Sequence, residues 1–150
     1  METIQLRSPA FGDHAPIPAR FSMDGGNVSP ALEWSGVPGD AAELAVLCED
    51  PDAPGGTFVH WVLAGVHPAR AGLAEGEVPR GAVEGANDYG GTGYGGPQPP
   101  AGDPPHRYFF RVFAVAESLG IAPGATAGDV YQAMKGLEMA RGTLVGTYRR

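Results

Sequence analysis

Three short stretches of this sequence carry side chains able to move a proton or hold a charged group. They are Asp50 and Asp52 in DPDAPGG, His60 in TFVHWVLAGV, and His106 with Tyr108 in HRYFFRVFAV. Imidazole titrates near neutral pH, and a carboxylate beside it fixes its tautomer and raises its pKa above about 6.5. Both faces of the run 57–66 are apolar apart from His60, so a ring without a partner there would be costly to desolvate. The adjacent turn supplies Asp50 and Asp52, and the expectation is an Asp–His60 pair. Alternation along 106–115 sends His106, Tyr108 and Phe110 to one side and Arg107, Phe109 and Arg111 to the other, so a ring nitrogen and a hydroxyl reach one small volume. The same rule puts Phe58, His60 and Val62 on one face of 57–66 and Val59, Trp61 and Leu63 on the other. Taken singly, DPDAPGG reads as a tight turn and His60 as a hydrogen-bonded core histidine. Together, and next to a Gly/Pro-rich loop, these residues form a set suited to a small anion, with turn amides and histidine as donors.

The elements that must position them are short strands. Runs at 3–7, 29–34, 43–49, 57–66, 106–115 and 144–148 have strand character and are separated by turn formers. The stretch 68–103 contains NDYGGTGYGGPQPPAGD, which neither a helix nor a central strand tolerates. A loop of this length in a compact domain is more often functional than idle. One helix is predicted at 127–141, with Val130, Met134, Leu137 and Ala140 sharing a face and Gly142 placed to stop it. The pattern predicts a mainly β, antiparallel Greek-key sandwich with one C-terminal helix and long ordered loops, as a single domain over 1–150.

Composition excludes several partners. The formal net charge is −7, there is one lysine (Lys135), and no basic run occurs, which argues against nucleic acid and anionic membranes. A small anion is still admissible, because a pocket responds to its nearest donors more than to screened distant charges. The single cysteine, Cys48, forbids an internal disulfide and a cysteine zinc cage, and its apolar run LAVLC marks a buried small hydrophobe. His14, His60, His67 and His106 have no short ligand spacing, and no P-loop or dinucleotide fingerprint occurs, so neither a metal nor a cofactor is expected. Without a signal-peptide pattern or an apolar stretch of about 18–20 residues, the expected location is cytoplasmic, with no membrane span.

With these motifs in view, the sequence resembles the phosphatidylethanolamine-binding protein (PEBP) family, and most closely its compact bacterial Raf kinase inhibitor-like branch. The matching stretches are SPALEWSGVP (29–38), DPDAP (50–54), HW (60–61), YGGPQPPAG (94–102), HRYFF (106–110) and the ending LVGTYRR. The resemblance implies a PEBP-like sandwich with an anion pocket at one end. Carried over position by position, that pocket is lined by Asp50, His60, Gly96, Pro97, His106 and Tyr108, with Asp52, Pro54 and Pro99 supporting its wall. The family also often has a cis peptide at a pocket proline. This chain has Gln98 where the branch usually has cysteine in GPCPP, so no thiol chemistry there is essential, and the segments used for regulation in eukaryotes are missing.

The expected function is binding of a small phosphoryl-containing ligand or of a phosphorylated partner, without catalysis; regulation of a kinase or other partner is compatible with such binding, but kinase inhibition does not follow from the resemblance. One alternative is an acid–base hydrolase using Asp50, His60 and His106, although no nucleophile elbow is present. Another is an inhibitor acting through its surface loops, independently of the pocket. A homodimer through an apolar sandwich face is compatible with the sequence.

Overall fold

The computed structural model describes residues 2–150. In chain order its strands are β1 (Glu2–Thr3), β2 (Gln5–Arg7), β3 (Ala15–Pro16), β4 (Leu32–Ser35), β5 (Glu43–Asp50), β6 (Phe58–Val66), β7 (Gly72–Leu73), β8 (Val83–Glu84), β9 (His106–Val115) and β10 (Glu138–Tyr148). Helix α1 (Ala127–Met134) lies between β9 and β10, and Ala19–Phe21 forms a single 3-10 turn.

The large sheet runs β1-β10-β9-β5-β6-β8, with β3 also on β10. Within it, β5, β6, β8 and β9 form a Greek key: β5 and β6 are a hairpin, β8 follows beside β6, and the chain returns to lay β9 against β5, all antiparallel. The sheet is not wholly antiparallel, because β1 and β3 each pair with β10 in parallel. A smaller antiparallel sheet, β2-β4-β7, covers one face. Between the sheets lies a core that includes Leu32, Trp34, Leu44, Val46, Trp61, Leu63, Phe110 and Val112. The opposite face of the large sheet packs Ala45, Leu47, Val62 and Phe113 against Val130 and Met134 of α1.

Two expected elements change shape. The run 3–7 is split at Ile4, which is 2% exposed and whose amide bonds the Arg141 carbonyl at 2.8 Å. The chain changes sheets there, with β1 in the large one and β2 in the small one. The helix is capped by Thr126 and Asp129 in a reciprocal capping box, as its sequence favours, but ends at Met134 instead of residue 141. Gly136, at φ 78°, turns the chain out of the helix, and 138–148 is one long strand. Leu137 and Ala140 mimic the helical period while serving a turn and a strand. Gly142 is a strand residue, and a Cβ there would stand 2.4 Å from the Ile4 carbonyl oxygen. Cys48 is buried in the inter-sheet core, and burial pushes its thiol pKa well up, which keeps it an inert apolar filler.

Candidate functional site

The end of β5 and the beginnings of β6 and β9 meet at one end of the large sheet. A cleft of about 260 Å³ opens there, lined by Asp50, Ala53, Pro54, Phe58, His60, Tyr89, Gln98, Pro99, Pro100, His106 and Tyr108. The register explains the convergence: Glu49 pairs with Phe109, so Asp50 lies level with Tyr108. The alternation expected along β9 holds at this end, with His106 and Tyr108 buried and Arg107 exposed.

Asp50 is held by two bonds. Its Oδ1 accepts the Asp52 amide at 2.7 Å, closing the DPDAP turn, and its Oδ2 accepts from His106 Nδ1 at 2.7 Å. The other ring nitrogen of His106, Nε2, donates to Asp103 Oδ2 at 3.0 Å. Burial works against a charged imidazole at His106, but the hydrogen bonds and charges of Asp50 and Asp103 outweigh it and raise its pKa above the ordinary histidine value. The aspartate partner expected for His60 therefore belongs to His106.

His60 is held differently. Its Nδ1 donates to the Gly95 carbonyl at 2.7 Å, and the Gly95 amide returns a bond of 2.8 Å to the His60 carbonyl. Burial lowers its pKa, against the smaller opposing effects of the Gly95 carbonyl and Asp50. The ring is thus neutral near pH 7, protonated at Nδ1. The strict alternation expected along β6 is interrupted at this residue. Cys48 pairs with Trp61 and Glu49 with Val59, so His60 is the extra residue of a β-bulge. As a result Val59 packs with Val62 on the helix side, while His60 faces the cleft and Trp61 enters the inter-sheet core.

The long Gly/Pro loop is ordered by its own polar groups. Buried Asn87 accepts from the amides of Tyr89 and Gly91 and donates to the Gly93 carbonyl. Asp88 accepts the Val59 amide at 2.7 Å. Tyr89 folds over the cleft, its hydroxyl donating to the Gly96 carbonyl at 2.6 Å and its ring edge-on to Phe58 and His60 at 4.7 and 5.6 Å. Burial, then the charge of Asp50, push its phenol up to about 12. The Tyr108 ring sits 5.1 Å from His60, and burial raises its pKa as well.

Gly96, Pro97 and Asp52 are not among the residues of the cleft wall, and Gly96 bears on the site through its carbonyl, which accepts from Tyr89 and acts on His60. The Gly96 amide is engaged by Asn27 Oδ1 at 2.7 Å, and a Cβ at this position would meet the Phe21 carbonyl oxygen at 2.2 Å. The Pro97 carbonyl accepts from the Met23 amide. Both residues thus pin the loop against 21–27, and Gln98, Pro99 and Pro100 present the wall. Asp52 turns outward to Arg107, each of its carboxylate oxygens accepting a guanidinium N–H at 2.9 Å and Oδ2 also accepting the Arg107 amide. No peptide bond among the described residues is cis, in contrast to the expectation at a pocket proline.

Sequence reasoning missed Tyr89 and Asp103. Tyr89 lies in a glycine-rich loop with no periodicity, and only its aromatic character among turn residues marks it. Asp103 stands three residues before His106, a spacing that signals a contact in a helix but not in the turn found here. Among the described residues no group of His, Cys, Asp or Glu is arranged to hold a metal ion, and no helix is long and apolar enough to cross a membrane.

Comparison with known proteins agrees with the fold. The profile of a family described as Phosphatidylethanolamine-binding protein matches residues 7–149. A UPF0098 protein of Methanothermobacter thermautotrophicus is 46% identical over 152 residues, covering 98% of this chain and 99% of the relative. A crystal structure from Chlamydia trachomatis, described as that of a phosphatidylethanolamine-binding protein homologue, has a TM-score of 0.92 at 37% identity, covering 100% of this chain and 99% of that one. Escherichia coli YbcL, described as a member of the mammalian PEBP family, also has a TM-score of 0.92, at 30% identity and 98% coverage of both chains.

Proposed function

The chain belongs to the phosphatidylethanolamine-binding protein family, and from that membership and the cleft we propose that it captures a small phosphoryl-bearing ligand, free or carried by a partner protein, in the cytoplasm. The observation that carries this reading is the Asp50–His106 pair, 4% and 5% exposed, set in a cleft beside a second buried histidine. Such a pair adds little to stability compared with apolar packing. Its position in a concave wall with Tyr108, Tyr89 and Gln98 speaks for recognition of a polar ligand. His106 is the cation that offsets part of the carboxylate charge around it, so without that residue the cleft is more repulsive to anions.

Binding without turnover is part of the proposal. Both nitrogens of His106 are engaged by carboxylates, so that ring has no lone pair with which to act as a base, and His60 Nε2 is the one imidazole position left for that role. Where the phosphoryl group belongs to a protein such as a kinase, occupation of the cleft makes this chain a regulator of that partner. Calorimetric titration with phosphoethanolamine tests the reading. Saturable binding, lost in His106→Ala and weakened in Asp50→Asn, supports it. Binding indifferent to His106→Ala places the ligand elsewhere. Turnover of a phosphomonoester panel by the wild type but not by His60→Ala would replace binding with hydrolysis.

A further inference from the structure

Each histidine N–H in the cleft is already engaged by the protein. His60 Nδ1 gives its hydrogen to the Gly95 carbonyl at 2.7 Å, which leaves Nε2 as the ring's one position for a further proton. His106 directs Nδ1 to Asp50 at 2.7 Å and Nε2 to Asp103 at 3.0 Å. One imidazolium therefore stands between two carboxylates, while the neutral His60 ring offers a lone pair.

The other groups packed on His60 add carboxylate and no cation, and Arg150, which donates to the Pro99 carbonyl of the cleft wall, is paired with Asp24. Asp88, from the loop, adds a further carboxylate while holding the Val59 amide. Tyr89 from the loop and Tyr108 from β9 are neutral phenols, and Phe58 from β6 is apolar. An anion entering this arrangement meets a lone pair and an excess of carboxylate, in a chain of formal net charge −7.

Resting on the phosphoryl-binding reading above, we propose that the cleft takes its phosphoryl group together with one proton, shared between a phosphoryl oxygen and His60 Nε2. The proton comes from solvent, and only this O–H or N–H is made. The ligand is thus held as the monoanion of a phosphomonoester on neutral His60, or as the equivalent dianion on protonated His60. His60 becomes a specificity-determining residue. A phosphomonoester, whose second pKa is about 6, can bring the proton itself, whereas sulfate or a phosphodiester must protonate the buried ring.

The test is calorimetry of phosphoethanolamine near pH 7.5 in two buffers of different protonation enthalpy, together with dissociation constants between about pH 7.5 and 8.5. The expected result is uptake of about one proton per ligand and about tenfold weaker binding per unit rise in pH. Sulfate, which does not titrate in this range, should show the same slope in the wild type and a flat profile in His60→Gln, whose amide donates without titrating. Binding of phosphoethanolamine by the wild type without proton uptake overturns the proposal, and this result needs no variant. A sulfate slope that persists in His60→Gln also overturns it, because the proton would then reside on another group such as His106. If neither anion binds anywhere between about pH 5.5 and 8.5, the phosphoryl reading itself fails, and this inference with it.

Discussion

Replacing Asp50 by asparagine removes one charge from a pair that is almost wholly enclosed, with the two side chains 4% and 5% exposed. Breaking a buried pair by removing one partner costs about 3–5 kcal/mol. The asparagine amide keeps an oxygen to accept from His106 Nδ1, and Asp103 still holds Nε2, so the expected loss lies near the lower end, at about 3 kcal/mol. With a urea m-value of about 2 kcal/mol per M, the unfolding midpoint should fall by about 1.5 M. The loss also has a required pH dependence. The folded-state pKa of His106 is raised, so the pair's contribution is fully present below the unfolded value of about 6.5 and is lost as pH rises through the folded value. The gap between wild type and Asp50→Asn should accordingly be widest near pH 6 and should shrink only once pH passes the raised folded value. Urea denaturation at pH 6 and at a series of higher pH values measures it. A loss under about 1 kcal/mol at pH 6, the size of an exposed pair, or a gap that widens with pH, would refute the reasoning.

Two further outcomes concern residues that stand behind or outside the cleft. Gly96→Ala puts a methyl group against the Phe21 carbonyl and should cost about 1–3 kcal/mol, lowering Tm by about 2–4 °C for each kcal/mol; an unchanged Tm in scanning calorimetry would show that the loop does not need this close approach. Asp52→Ala removes the exposed bridge to Arg107 and should cost about 1 kcal/mol at neutral pH. Hydrogen bonding to Arg107 holds the Asp52 carboxyl below its ordinary range, so this contribution is present above about pH 3.9 and lost as pH falls through the lowered value. Because Asp52 is not in the cleft wall, the dissociation constant for phosphoethanolamine should change by no more than about twofold, and a larger change would return Asp52 to the site.

Local pattern revealed the parts of the fold and the site that depend on local rules. Period-two alternation in HRYFFRVFAV placed His106 and Tyr108 on one buried side, and β5, β6 and β9 were legible from their apolar runs. What depends on register was not legible. Whether Asp50 meets His60 or His106 is decided by the pairing of β5 with β9, and no spacing along the chain encodes that pairing. The bulge at His60 is likewise a property of two strands together, and it reverses the face expected for Val62. The helix was overextended because Leu137 and Ala140 continue an apolar period whose geometry Gly136 breaks. Gly96 and Pro97 were expected in the pocket lining, and the contacts they make are with 21–27, a close approach that no spacing along the chain encodes.

The central claim, that a phosphoryl group enters the space shared by His60 and His106, is tested most directly by NMR of the two imidazole rings. Phosphate, phosphoethanolamine and, as a control, chloride would each be titrated into the protein near pH 6.5. The account predicts saturable shifts of both rings with the two phosphoryl ligands and none with chloride. Resonances that stay unmoved at millimolar phosphate would contradict it, and would leave the two histidines as parts of the fold alone.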